Sequence, residues 1–247
     1  HFERTMDDGT ESVRYLCELA AKRGLMVDMH CDESDDPMSR HIEALAYHTK
    51  RLGLQGMVTG SHLTSMHSMD NYYVSKLIPL IAESGVHVIP NPLINIMLQG
   101  RHDTFPKRRG LTRVSELKEA GVTIGFGSDC MMDPWYSLGK ADMLEVAAMG
   151  LHVGQLSSRA EMKWCFDAVT VNSAKIMGFE HYELQKNGRA NMVLLQARNK
   201  IEAVRLKANR LLVIRDGKLI AQNDPVTTKL FMGGRPNLLN PADYETS

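Results

Sequence analysis

The sequence holds few marks of disulfides, membranes or nucleic acid. Only four cysteines occur in 247 residues, Cys17, Cys31, Cys130 and Cys165, and none forms a CxxC pair. A disulfide scaffold is denser in cysteine and smaller, so the expected compartment is a reducing cytoplasm. Charge of either sign is not in excess: 29 Lys+Arg balance 29 Asp+Glu. That excludes the basic footprint which a nucleic-acid backbone selects. No apolar run reaches the roughly 18 residues of a membrane helix. No GxGxxG or GxxxxGK[ST] follows an apolar run, which argues against a nucleotide-binding loop.

What is present is a core. Hydrophobic residues make up 43% of the chain, enough for a buried interior. The 16 methionines are scattered through apolar positions, as core gap-fillers are.

The first 130 residues alternate helical stretches with short apolar runs. Helices are expected at Glu11–Arg23, Ser39–Arg51, Tyr73–Ser84 and Val114–Ala120, each closed by a nearby glycine suited to a left-handed C-cap. Strands are expected at Leu25–Met29, Met57–Gly60, Val86–Ile89 and Val122–Phe126. Short, wholly apolar strands between helices read as a parallel sheet buried on both faces. Further helices are expected at Ala141–Leu156, Arg159–Asn172 and Ser173–Met177.

The pattern changes near Gly188. Met192–Leu195 reads as a strand, and Arg210–Ile214 with Lys218–Ala221 as a hairpin turned by Asp216-Gly217. Two domains are therefore expected, 1–187 and 188–247, the second a small β module with a Pro-, Gly- and Asn-rich tail from Gly233. The opening HFERTMDDG offers no evident cap to a first helix.

Polar residues stand at the strand ends: His30, His62, Asn91 and Asp129. In a (β/α)₈ barrel that edge carries the chemistry. Each residue alone reads equally as hydrogen-bonded structure. Together, two imidazoles and a carboxylate on three strand tips suit a metal-assisted hydrolysis, with Glu33 placed to move a proton. Cys130 beside Asp129 reads as pocket lining, because an adjacent carboxylate raises a thiol pKa. Trp135 either stacks on a flat ligand or plugs the barrel rim. Lys107-Arg108-Arg109-Gly110 either grips a phosphate or is solvated surface. The apolar stretch Pro92–Gly100 is expected to be a loop packed as a pocket wall.

Five segments carry a family resemblance: VDMHCDE at 27–33, TGSHLTSMHS at 59–68, NPLINIMLQGRHDTFPKRRGLTRV at 91–114, GFGSDCMMDPWYSLG at 125–139 and TVNSAKIMG at 170–178. They resemble the bacterial cytosine deaminase family of the amidohydrolase superfamily. The resemblance implies an α/β fold, the C-terminal half of a (β/α)₈ barrel of amidohydrolase type plus a small flanking β domain. It implies one divalent metal, zinc or iron, and hydrolytic deamination of a free pyrimidine base with release of ammonia. On that basis His30 and Asp129 are metal ligands, and Asp129 also receives the water proton. Glu33 shuttles a proton to the ring nitrogen, and His62 hydrogen-bonds the attacking oxygen. Cys130, Trp135 and His62 line the substrate. A homo-oligomer is also implied.

The chain departs from the family in two ways. The HxH metal pair of the first barrel strand and a substrate-binding Gln are absent. Four expected strands are half of a closed barrel, so a parent of roughly 400–430 residues is expected to supply the rest. Cys130 also stands where cytosine-specific members carry Asp, and Ser128 where His is common. A thiol tolerates apolar contact, which points to 5-methylcytosine beside cytosine as substrate. The alternatives are another cyclic amide or amidine (isocytosine, creatinine-like or hydantoin-like) and a non-catalytic barrel. A polynucleotide deaminase is disfavoured, since PCxxC is absent.

Overall fold

The computed structural model describes residues 5–182 and 184–234, together with the backbone of Leu238–Leu239. The chain divides into two units, His1–Glu180 and His181–Ser247. Most of the tail expected from Gly233 lies outside the described residues.

The first unit opens with α1 (Met6–Arg23). A cap does lead into it: the Thr5 side chain accepts from the Asp8 amide, and Gly24 closes the helix at φ 62°. The sequence hid this because one threonine among polar residues has no local contrast. There follow β1 (Val27–Cys31), α2 (His41–Leu52), β2 (Val58–His62), a 3₁₀ turn at Thr64–His67, α3 (Asn71–Ser84) and β3 (His87–Ile89). Gly53 and Gly85 end α2 and α3 in the left-handed region, at φ 69° and 66°. A side chain with a Cβ is strained there, so glycine sets both helix lengths.

The sheet is parallel, in the order β1-β2-β3. His30 lies beside Ser61 and Cys31 beside His62. Strand β2 is buried along its whole length, as a central strand covered on both faces must be. Ile42 and Leu45 of α2, Leu77 and Ile81 of α3, and Val58 and Val88 of the sheet form the interior. Truncating Leu45, wholly buried, to Ala should cost roughly 2–5 kcal/mol.

The fourth expected strand, Val122–Phe126, narrows to one parallel bridge between Val88 and Ile124. Val88 N donates to Thr123 O, and Gly125 N to Val88 O, so this segment does lie along β3. Its outer side pairs with helices instead: Phe126 N donates to Ala168 O, and Asn172 Nδ2 to Ile124 O. A ladder on one side only, flanked by Gly125 and Gly127, does not extend into a full strand.

Pro92–Gly100 is not a loop. It forms α4 (Pro92–Leu98), because proline at the first helical position is already set to helical φ. Then come α5 (Val114–Glu119), α6 (Met143–Val153), α7 (Arg159–Ala168) and α8 (Val171–Ile176). A capping box between Ser158 and Glu161 starts α7 and separates it from α6.

The second unit has β4 (Met192–Leu195), α9 (Lys200–Leu206), β5 (Arg210–Arg215) and β6 (Lys218–Gln222), with the antiparallel order β4-β5-β6. Asp216 and Gly217 have φ 48° and 75°, the two positive values of the expected type I′ turn. Helix α9 was not evident in the sequence. Asn199 caps it by accepting from Glu202 N, and Arg198 pairs with Glu202 at 2.7 Å. A two-residue antiparallel pair, β7 (Thr228–Lys229) with β8 (Leu238–Leu239), follows. No helix among the described residues is long and apolar enough to cross a membrane.

Candidate metal and catalytic site

The carboxyl ends of β1, β2 and the segment beside β3 bring His30, His62 and Asp129 together. Their candidate ligand atoms all lie within 4.8 Å of one another. His30 Nε2 is 3.8 Å from Asp129 Oδ1, and His62 Nε2 is 3.7 Å from Asp129 Oδ2. The two imidazole rings are tilted by 57° with centroids 4.6 Å apart. Both His–Asp separations exceed a hydrogen bond. Two ligand atoms sharing a tetrahedral ion at ordinary bond lengths lie about 3.4 Å apart. His30 Nε2 and the Asp129 carboxylate, at 3.8 Å, come close to this spacing and fit a borderline divalent ion by donor type.

The backbone at each strand exit is unusual. Asp32, His62 and Asp129 have φ of 53°, 72° and 60°. Left-handed backbone at a non-glycine residue costs roughly 1–3 kcal/mol, and such residues gather where function fixes them. Here each turns the chain sharply at a strand tip and aims its neighbours at one point.

Asp32 shows how the first exit is held. Its buried carboxylate accepts from Ser39 Oγ (2.8 Å), His41 N (2.9 Å), His41 Nδ1 (2.9 Å) and Ile42 N (2.8 Å). It thus caps α2, whose own N-cap Arg40 makes no side-chain cap. Burial alone would raise its pKa, but the bonds from His41, Ile42 and Ser39 outweigh that and hold it below the usual carboxylate range. Thr64 Oγ1 and Ser65 N donate to Asp32 O, so the loop after β1 is stitched to the turn after β2.

Glu33 follows directly, and its side chain is only 9% exposed. Oε1 stands 3.4 Å from His62 Nδ1. Burial, then the charge of Asp129, pushes its pKa up to about 7. A carboxyl group so poised can give and take a proton near neutrality. His62 is wholly buried, and burial, with His30 adding to it, depresses its pKa to about 3. The imidazole is therefore neutral. Asp129 is raised by burial against the opposing pull of His30.

Cys130 Sγ donates to Asp129 Oδ2 at 3.7 Å. Burial, then the acceptors Asp133 and Asp129, pushes the thiol up to about 12, so it is no thiolate nucleophile. Trp135 is 63% exposed; the structure does not bury it as it buries His62 and Glu33. The basic run is tied to the fold: Lys107 Nζ donates to Gly100 O, Arg108 pairs with Asp103 at 2.7 Å, and Arg109 donates to Val153 O. All three residues are exposed, as the solvated-surface reading has it.

Two asparagines complete the surroundings of His62. Asn95 Nδ2 lies 2.8 Å from His62 Nδ1, and Asn91 Nδ2 lies 3.3 Å from each ring nitrogen. Sequence reasoning placed Asn91 at a strand end and missed Asn95. The available signal was the i, i+4 spacing, which puts both on one helical face once α4 is recognised.

A parallel βα unit with polar residues gathered at strand ends is the layout of barrel hydrolases. The family model described as "Amidohydrolase family" matches residues 2–221, and the chain belongs to that family. A crystal structure of 5-methylcytosine deaminase from Klebsiella pneumoniae, liganded with 5-fluorocytosine, superposes with a TM-score of 0.89 at 43% identity over 92% of this chain and 55% of that one. A pterin deaminase of Rhizobium rhizogenes is 32% identical over 85% of this chain and 48% of its own. N-isopropylammelide isopropylaminohydrolase from Burkholderia multivorans superposes at 0.75 with 28% identity, over 88% and 52%. The chain spans about half the length of the relatives it matches. The α/β fold with part of an amidohydrolase-type barrel is as the sequence led us to expect.

Proposed function

We propose that the protein is a metal-dependent hydrolytic deaminase of a free aminopyrimidine base, converting 5-methylcytosine or cytosine to thymine or uracil with release of ammonia. The convergence of Glu33 and His62 on the His30–Asp129 gap carries this reading. The likeness to 5-methylcytosine deaminase supports the substrate class, and the pterin deaminase relative extends it to larger amino-substituted rings. His30 and Asp129 are the proposed metal ligands, for zinc or iron. An ion there supplies Lewis acidity.

The chain's own residues do the remaining work. Asp129 accepts the proton of the attacking water. His62 donates a hydrogen bond to the oxygen that adds to the amine-bearing carbon, where charge builds in the transition state. Glu33 protonates the adjacent ring nitrogen; the proton that Asp129 took from the water then passes to the departing amine, which leaves as ammonia, and the proton of the added hydroxyl restores Glu33. Cys130 and Trp135 are the proposed substrate-lining side chains. The proposal includes barrel strands beyond those described, to complete the metal's ligands, and a homo-oligomer. It includes a reducing cytoplasm, to which a chain with four scattered cysteines and no CxxC pair is suited.

The test is ammonia release from 5-methylcytosine, cytosine, isocytosine and a pterin, before and after chelation and on restoring zinc or iron. Release from an aminopyrimidine, lost on chelation and in His30→Ala and Asp129→Ala, is expected. A metal-loaded preparation that deaminates none of these bases overturns the reading.

A further inference from the structure

We infer that Asn95 sets the tautomer of His62, holding the proton on Nε2 so that an N–H points toward Asp129. The inference starts from the amide of Asn95, whose orientation is not free. Its Oδ1 accepts the backbone N–H of Asn91 at 3.0 Å. A backbone N–H can only donate, so the oxygen must face Asn91 and the NH₂ must face the other way. On that other side lies His62 Nδ1, at 2.8 Å. An amide NH₂ also only donates, so Nδ1 must offer its lone pair. A neutral imidazole whose Nδ1 is an acceptor carries its proton on Nε2.

Neither side chain can satisfy itself elsewhere. His62 and Asn95 are both wholly buried, leaving no solvent to replace the bond. Asn91 does not compete for it. Its Nδ2 is 3.3 Å from both ring nitrogens. In the ring plane, equal distances would drive it into Cε1, so it packs on the ring face.

The bond also guards against a rival. Glu33 Oε1 stands 3.4 Å from the same Nδ1. Without the Asn95 donor, the Glu33 carboxylate is the acceptor within reach of that nitrogen and would draw the proton to it. The Nε2 lone pair would then face the negative Asp129, 3.7 Å away. Asn95 is therefore a positioning residue, acting on substrate only through His62, as second-layer partners orient imidazoles at metal centres. It also separates the roles of the two histidines, because an Nε2 that holds a proton cannot ligate an ion.

The catalytic consequence rests on the proposed deaminase reading; the tautomer does not. The experiment is ¹⁵N NMR of the zinc-loaded protein labelled in histidine, with the His62 signals assigned by their loss in His62→Gln. A protonated Nε2 and an unprotonated Nδ1 are expected. Asn95→Asp keeps the acceptor for Asn91 N–H but replaces the donor to His62 by an acceptor. It should move the proton to Nδ1 and lower kcat about 100-fold with little change in KM, the size of losing one donor to a developing oxyanion. A wild-type proton on Nδ1 overturns the inference without any activity measurement. So does a folded Asn95→Asp that keeps Nε2–H. Wild-type Nε2–H in a protein that deaminates no base leaves Asn95 its structural role and overturns the deaminase reading alone.

Discussion

Glu33 Oε1 and His62 Nδ1 stand 3.4 Å apart although they exit different strands. The two groups titrate on opposite sides of their ordinary values. Burial, then Asp129, raises Glu33 to about 7, and burial, then His30, lowers His62 to about 3. At neutral pH one is an acid near its midpoint and the other a neutral donor. As the proton donor to the ring, Glu33 must be protonated. kcat/KM should therefore hold level just below pH 7 and fall about tenfold per unit above it. Glu33→Gln should lose about 10²- to 10⁴-fold in rate and show no break near pH 7. An unchanged break in that variant would assign the titration to another group.

Asp32 bears on stability. Asp32→Asn leaves one oxygen where two accepted, and turns an NH₂ toward donors in a buried site. The expected loss is roughly 2–4 kcal/mol, read from the urea midpoint. The pH sign follows from the lowered pKa. The charged form is favoured in the folded state, so its contribution is complete above the unfolded value near 3.8 and is lost as pH falls through the lower folded value. The wild type should lose stability in that acid range more steeply than Asp32→Asn. Parallel acid profiles would contradict this.

Gly127 leaves room for Asn91. A Cβ at residue 127 would overlap Asn91 Oδ1 and lie 3.0 Å from Ile89 Cγ2. Gly127→Ala should displace the amide that rests on the His62 ring, lowering kcat as well as destabilising by about 1–3 kcal/mol. Gly125→Ala is the contrast. Its Cβ would meet Ser173 Oγ at 2.7 Å and Ile176 Cδ1 at 3.1 Å, on α8. It should cost stability with kcat preserved. Equal kcat losses in the two variants would mean that Asn91 has no special part.

The same residues show what a linear reading can reach. Helices α1 to α3 were legible because their apolar period runs for several turns and ends in glycine. His30, His62 and Asp129 were legible because strand tips are where a parallel sheet can expose polar groups. Asn95 was not, since a buried polar residue inside a short apolar helix looks like part of a loop until the helix is known. Nor was the role of Asp32, whose partners lie 7 to 10 residues away and meet it only through the turn at φ 53°. The narrowing of the fourth strand was hidden because its outer partners are the helix α7 and Asn172 of α8, far along the chain.

Cys130 tests the substrate preference. Burial, with Asp133 and Asp129 as acceptors, keeps its thiol uncharged at neutral pH. Uncharged sulfur is polarizable and tolerates a methyl group. An Asp in its place would be a third carboxylate beside Asp129 and Asp133, and would hold water that a 5-methyl substituent must displace. A single methyl group is worth about 10-fold or more in a fitted apolar pocket. Cys130→Asp should therefore lower the ratio of kcat/KM for 5-methylcytosine over cytosine by about tenfold. Cys130→Ala, which adds no charge, should retain most of the wild-type ratio. The two bases compete in one reaction, and thymine and uracil are quantified separately. If the ratio is the same in the wild type and in Cys130→Asp, residue 130 does not read the 5-position, and the preference must be set by side chains elsewhere around the ring.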